Sequence, residues 1–266
     1  MNTPSVCVSL DGTAVSEMLD EAAKSNIAGA DLVEVCFDRL YLIPPEEDQA
    51  PAYEEEEGEP WGEIPVSDWS RKDADDVDYS ACIEELKGGI AMPAIFTCRP
   101  TNEGGFYSGD EESRIAILRS AIESKVSYID IEISIEEKER TKLIEYAREN
   151  DVNVIVSAHV TEGVPSKDEI IEFVKQNKDL GDILKCCYTT ESHLESLSMV
   201  EAAWEVSSED LSYSLMGLGP GGDWTRIHAP LLNQSLVYST LCNDFNLPEL
   251  GLINVRDLKD AWVMLD

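Results

Sequence analysis

The sequence predicts an α/β fold, a (β/α)8 barrel, on three observations. Eight short apolar runs rich in Val, Ile and Leu recur along its 266 residues, and helical patterns of period near 3.6 lie between most of them. The turn after the first run, where a doubly wound sheet usually carries its glycine-rich fingerprint, has one glycine, and no Walker A loop occurs, which disfavours the doubly wound sheet, the other fold with this alternation. The first run, 6–10, leads through the one-glycine turn SLDGT into a helical pattern at 15–27, and the second spans 32–37. The third (94–98) and fourth (128–133) follow, with helical patterns at 111–124 and 135–150 after them. Runs at 152–156, 183–188, 211–216 and 235–241 complete the series, with helical patterns at 167–177 and 191–206. Ser134 with Glu137 and Ser166 with Glu169 have capping-box spacing, so helices are expected to start there.

Only the gap between the second and third runs exceeds one βα unit. Residues 42–85 hold 16 acidic and two basic residues, a local charge of −14, in runs such as PPEEDQAPAYEEEEGEPWGE and DADDVD. The expectation is one barrel domain over 1–266 carrying an acidic, largely irregular insertion after strand two, with a helix resuming at 78–87. A loop after a barrel strand lies on the catalytic face, so this segment is either a lid or a solvated insertion.

Composition narrows the partners. With 20 Lys plus Arg against 54 Asp plus Glu the formal charge is −34, which repels nucleic acid and anionic membranes, so neither is expected as a ligand. Apolar residues make up 43%, ordinary for a globular core. The first residues lack a signal-peptide pattern and no apolar stretch is long enough for a membrane helix, so a cytoplasmic protein is expected. The seven cysteines form an odd set without C-x-x-C and read as reduced thiols. His159, His193 and His228 have no metal-ligand spacing, so no metal is expected.

Three clusters carry candidate chemistry. Lys185 stands inside the apolar run ILKCCY, where desolvation favours a neutral amine able to condense with a carbonyl, although an ion-paired or snorkelling lysine fits the same pattern. His159 follows the run NVIVS at the strand end where barrel sites are built, and imidazole suits proton abstraction near neutrality. TCRPTNEGG supplies Arg99, Glu103 and a glycine pair, and Arg226 lies beyond GLGPGG, a loop of the kind that binds anions on backbone amides. Cations at strand ends in so acidic a chain point to an anionic carbonyl substrate.

In order and placement, DLVEVCFDRL, FTCRPTNEGG, VIVSAHV, GDILKCC and SLMGLGPGGDWTRI resemble five motifs of the type I 3-dehydroquinate dehydratases, cofactor-independent Schiff-base barrels of the shikimate pathway. The resemblance spans nearly the whole chain outside the acidic segment. It implies dehydration of 3-dehydroquinate to 3-dehydroshikimate, with Lys185 as the Schiff-base lysine, His159 as general base and acid, and Glu103 orienting His159. It further implies that Arg226 binds the substrate carboxylate, that Arg99 and Glu34 contact ring hydroxyls, and that the chain forms a homodimer.

The chain departs from the family at three points. Cys36 stands where an arginine is usual, and strand alternation puts Arg39 on the opposite face from it. DFNLPELGLIN replaces a final loop that normally carries a serine and a glutamine, with Asn246 near the serine position and Pro248 kept. Asp130 and Glu132 share a strand face, either as partners of His159 and Lys185 or as satisfied core carboxylates. A class I aldolase-like lyase and a barrel that binds a pathway metabolite with little turnover are the alternative readings.

Overall fold

The computed structural model describes residues 3–45, 65–243 and 247–265. The eight barrel strands are β1 (Ser5–Leu10), β2 (Leu32–Cys36), β3 (Ala94–Thr97), β4 (Tyr128–Glu132), β5 (Asn153–Val160), β6 (Ile183–Thr189), β7 (Tyr213–Leu218) and β8 (Leu236–Ser239). They form one sheet in the order β8-β1-β2-β3-β4-β5-β6-β7, parallel throughout. The ring closes between β7 and β8, where Ser235 N donates to Tyr213 O at 2.9 Å and Ser214 Oγ to Leu236 O at 2.8 Å.

Helices α1 (Val15–Ala28), α2 (Tyr79–Gly89), α3 (Glu111–Glu123), α4 (Glu137–Glu149), α5 (Lys167–Asn177) and α6 (His193–Val206) follow the first six strands, and the short α7 (Asp223–Ile227) and α8 (Val255–Leu265) follow the last two. Apolar residues at helical spacing turn each toward the sheet: Ile170, Ile171 and Val174 of α5 are buried, as are Val255, Leu258 and Trp262 of α8. The α8 trio covers the outward residues Val6 and Val8 of β1 and Val237 of β8. Burying one such side chain is worth about 1.5–3 kcal/mol. α7 and α8 add to the helices read from the sequence.

The Ser166 capping box forms, with Ser166 N donating to Glu169 Oε2 at 2.9 Å and Glu169 N to Ser166 Oγ at 3.4 Å. The one at Ser134 does not. Glu136 caps α4, accepting from Glu139 N at 3.1 Å, and this frees the Ser134 hydroxyl for Glu103.

Of the acidic segment 42–85, residues 46–64 lie outside the described residues. Its flanks carry more secondary structure than a solvated loop. Leu42–Ile43 pairs antiparallel with Ser70–Arg71, single 3-10 turns occupy Val66–Asp68 and Ala74–Asp76, and Lys72 ties the return strand down with Nζ on Leu40 O at 2.8 Å. Among the described residues no helix is long and apolar enough to cross a membrane.

Inside the barrel, alternate residues point to the axis. Leu32, Ile95, Ile155 and Ile183 pack in an apolar cluster with Cys7, Cys187, Met216 and Tyr238. Two residues further along their strands, toward the C-terminal end, come Glu34, Thr97, Ser157 and Lys185. Strand parity thus moves the interior from apolar to polar within one layer.

Candidate active site

Lys185 is 1% exposed, and all three of its ammonium hydrogens have acceptors. Nζ donates to Asp130 Oδ2 at 2.6 Å, to Glu34 Oε1 at 2.9 Å and to the Tyr238 hydroxyl oxygen at 3.2 Å, and it stands 4.8 Å from the centroid of the Tyr238 ring. These partners sit on β4, β2 and β8, so the lysine on β6 is reached from across the barrel. Burial works against the charge, but the Asp130 and Glu34 carboxylates outweigh it and push the Lys185 pKa well up. The resting lysine is therefore an ammonium, and of the two states the apolar run left open the ion-paired one holds, through carboxylates far away in sequence.

Glu34 feels the same pairing from the other side. Burial raises its pKa, yet the Lys185 ammonium and then Arg99 overcome that and hold it at about 2. Ser9 Oγ donates to its second oxygen at 2.9 Å, and Cys36 Sγ stands 3.5 Å from it. Tyr238 donates its hydroxyl hydrogen to Glu34 Oε1 at 2.9 Å. Arg99 Nη2 is 3.8 Å from that oxygen, and its Nε is buried with no hydrogen-bond partner among the described residues.

His159 belongs to β5 itself, which runs to Val160, four residues beyond the expected run at 152–156; its pairing with Cys187 continues the register with β6. Its Nδ1 is 3.2 Å from Glu103 Oε2. A carboxylate accepts only, so Nδ1 carries the hydrogen and Nε2 the lone pair. Nε2 is buried and unpartnered among the described residues. Burial, then the charges of Arg99 and Lys185, keep the His159 pKa well below its usual value, so the ring is neutral and able to accept a proton.

Glu103 is aimed by the TCRPTNEGG turn. Gly104 has φ +77°, and a Cβ on Gly105 would lie 2.2 Å from Arg99 O, so the second position has no room for any side chain. Asp38 clamps both ends of this turn, accepting from Arg99 N at 3.2 Å and Phe106 N at 2.9 Å. The Ser134 hydroxyl donates to Glu103 Oε1.

Arg226 is 1% exposed and held by the strand ends: Nε donates to Tyr238 O at 2.9 Å, and Nη1 to Gly217 O at 2.6 Å and Gly222 O at 2.8 Å. Burial lowers its pKa to about 10, still a cation at neutral pH. Within GLGPGG, Gly219 N is taken by Leu250 O at 3.1 Å and Gly222 N by Gly219 O at 3.0 Å. Those two amides are spent, and Gly217 and Gly222 turn their carbonyls to Arg226, so the loop mounts the arginine.

Two further readings change. Arg39 is not governed by strand alternation, because the chain leaves β2 at Cys36 for a 3-10 turn over Phe37–Tyr41. Its Nε donates to Asp11 O at 2.6 Å and its guanidinium lies 5.2 Å from the Phe106 ring centroid. Asp130 and Glu132 separate in role: Asp130 binds Lys185, whereas Glu132 Oε2 takes Arg114 Nη1 at 2.6 Å. Arg114 also donates to Cys98 O at 3.0 Å and grips Glu111 through Nε and Nη2, both at 2.8 Å. Arg114→Met is expected to cost about 3–5 kcal/mol by stranding buried Glu132. At about 2–4 °C per kcal/mol, a thermal melt should fall by roughly 10 °C, and adding Glu132→Gln should recover part of it. Asn246 lies outside the described residues.

Tyr238, Asp38 and Ser134 were not among the candidates read from the sequence. For Tyr238 a signal existed, a phenol on the inward parity of a barrel strand. Thr97 Oγ1, Arg99 Nε, Asp130 Oδ1, Ser157 Oγ and His159 Nε2 are buried without partners among the described residues, and the strand ends that carry them meet around Lys185. Such a concentration of unpaired polar atoms beside a buried lysine ammonium and a neutral imidazole suits a polyhydroxylated carbonyl compound.

Comparisons with known proteins bear on the family and the fold. A family model described as type I 3-dehydroquinase matches residues 6–266. The 3-dehydroquinate dehydratase of Methanococcoides burtonii is 32% identical over 182 residues, covering 68% of this chain and 75% of the relative. That of Desulfotalea psychrophila is 26% identical over 264 residues, 98% of each chain. Among solved structures, the type I 3-dehydroquinate dehydratase of Clostridium difficile superposes with a TM-score of 0.77 at 19% identity, over 98% of this chain and 92% of that one, and so supports the barrel fold. With the model matched from β1 to the end of α8, the chain belongs to the type I 3-dehydroquinase family.

Proposed function

We propose that this chain dehydrates 3-dehydroquinate to 3-dehydroshikimate through an imine on Lys185. The observation that carries the reading is the placement of the Lys185 ammonium between Asp130 and Glu34, in the same barrel mouth as a neutral His159 whose Nε2 is free. Lys185 condenses with the C3 ketone, and the iminium acidifies the C2 hydrogen by accepting the electron pair of the breaking C–H bond. His159 Nε2 takes that proton, Glu103 holds the imidazolium through Nδ1–H, and the ring returns the proton to the C1 hydroxyl as it leaves as water. One imidazole serving both atoms makes the elimination syn. Hydrolysis of the imine restores Lys185.

Arg226 Nη2 and Arg99 are assigned the substrate carboxylate and ring hydroxyls, and Glu34 accepts from a hydroxyl once Lys185 is covalently engaged. The role places the chain in the shikimate pathway, as a cytoplasmic enzyme and a homodimer, the last to be checked by sedimentation equilibrium.

The test is to incubate the protein with 3-dehydroquinate and borohydride and weigh it. A reduced adduct on Lys185, with enone absorbance rising when borohydride is left out, supports the reading; no adduct and no absorbance change would refute it. The anionic substrate must also approach a protein of charge −34. KM is therefore expected to fall as salt rises from about 10 mM toward 150 mM, where the screening length shrinks from about 30 to 8 Å. A KM that climbs over this range would show that the local cations dominate the approach.

A further inference from the structure

Forming an imine from a lysine that rests as an ammonium poses a proton problem. The ammonium has three N–H bonds and the iminium keeps one, while the carbonyl oxygen leaves as water with two hydrogens. Two protons must therefore travel from Nζ to the oxygen on the adjacent carbon, and no net proton is gained or lost. Imine formation precedes the work at C2, and its protons move among the groups that touch Nζ.

Tyr238 is one of these groups. Its hydroxyl oxygen, Lys185 Nζ and Glu34 Oε1 form a closed triangle with sides of 3.2, 2.9 and 2.9 Å. An oxygen bound to the carbon that joins Nζ lies about 2.4 Å from Nζ, so the phenol can reach it within hydrogen-bond distance. Glu34 cannot easily make that delivery itself. Its two oxygens are fixed by Lys185, Tyr238, Ser9 and Cys36, with Arg99 nearby, whereas a phenol hydrogen rotates freely about its C–O bond.

We propose that Tyr238 is a catalytic residue of the imine-forming and imine-hydrolysing steps, relaying protons between Lys185 Nζ and the substrate's carbonyl oxygen through Glu34. The inference rests on Lys185 being the Schiff-base lysine. Nζ first gives a proton to Glu34, and the amine pair forms the N–C3 bond while the carbonyl π pair moves onto oxygen. Tyr238 protonates that oxygen and takes the proton held by Glu34, leaving a carbinolamine with a positive nitrogen. A second N–H proton follows the same route to the hydroxyl. The C–O bond then breaks with its electron pair, water departs, and the nitrogen pair closes the C=N bond of the iminium. The reverse sequence hydrolyses the product imine.

The experiment is rapid-quench borohydride trapping of wild type and Tyr238→Phe, with solvent 18O exchange into the ketone and the kinetic effect of deuterium at C2 measured in parallel. Tyr238→Phe is expected to slow trapping and oxygen exchange about a hundredfold, while the C2 deuterium effect on kcat shrinks toward one because imine formation becomes limiting. A purely structural tyrosine would lower the melting temperature or raise KM and leave the C2 effect intact, and that result overturns the proposal. So does an unchanged trapping rate in Tyr238→Phe, which leaves the Lys185 reading standing. No adduct in wild type would overturn both together. Should the phenylalanine variant fail to fold, wild-type trapping in H2O and D2O mixtures decides the matter: a curved dependence on deuterium fraction shows two protons in flight, and a flat response rejects the relay.

Discussion

Lys185→Met is expected to abolish turnover and to destabilise the protein, with the two effects separating as pH is lowered. Without the amine no imine forms, and the loss should exceed about 10⁴-fold, since imine chemistry carries much of an enhancement of at least roughly 10⁶. The structural cost arises because the ammonium lies 2.6 Å from Asp130 and 2.9 Å from Glu34. Removing it leaves two buried carboxylates facing one another, and breaking such a pair costs about 3–5 kcal/mol. In the wild type the Glu34 pKa is depressed to about 2, below its unfolded value. Its contribution to stability is therefore complete above the unfolded pKa and disappears as pH falls through the folded one. The gap in urea midpoint between wild type and variant should be full at pH 7 and narrow below about pH 4.5, where the stranded carboxylates take up protons. Activity should stay absent at every pH. A Lys185→Met protein that retains turnover would refute the mechanism, and one with an unchanged midpoint at pH 7 would refute the ion triad.

His159→Ala is expected to lower kcat by about 10²–10⁴-fold while leaving Lys185 able to form a trapped adduct, because removal of the C2 proton is the step it serves. The pH profile of the wild type follows from the same ring. The base must be neutral, so activity is present above the His159 pKa and lost as pH falls through it. Burial, with Arg99 and Lys185, depresses that pKa well below 6.5. The acid limb of kcat/KM, which reports the free enzyme, should accordingly lie well below pH 6.5, with a plateau reaching to neutrality. An acid limb at or above 6.5 that vanishes in His159→Ala would contradict the electrostatics of the site. Failure of the variant to form an adduct would place His159 in imine formation as well.

Much of the barrel is legible in the chain because strand parity and helical period are local. The run at Val154 to Val156 must bury both faces, and the 166–174 segment must turn one, whatever else the chain does. Where local competition is close the reading shifts: Ser134 has capping-box spacing, yet its hydroxyl binds Glu103 and Glu136 caps the helix. Arg39 was assigned a strand face, but the strand ends at Cys36, and parity stops with it.

The sequence by itself determined which residues stand on the inward parity near the strand ends: Glu34, Arg99, His159 and Lys185, with Glu103 in the adjoining turn. It also named the family through their order. Only closure of the barrel decided their states. Lys185 lies 151 positions from Glu34, 55 from Asp130 and 53 from Tyr238, and all three meet one nitrogen. A lysine in an apolar run is expected to be neutral if burial alone acts. Two carboxylates within 3 Å reverse that, because Coulomb energy depends on distance through space and on local dielectric, and separation along the chain does not enter it.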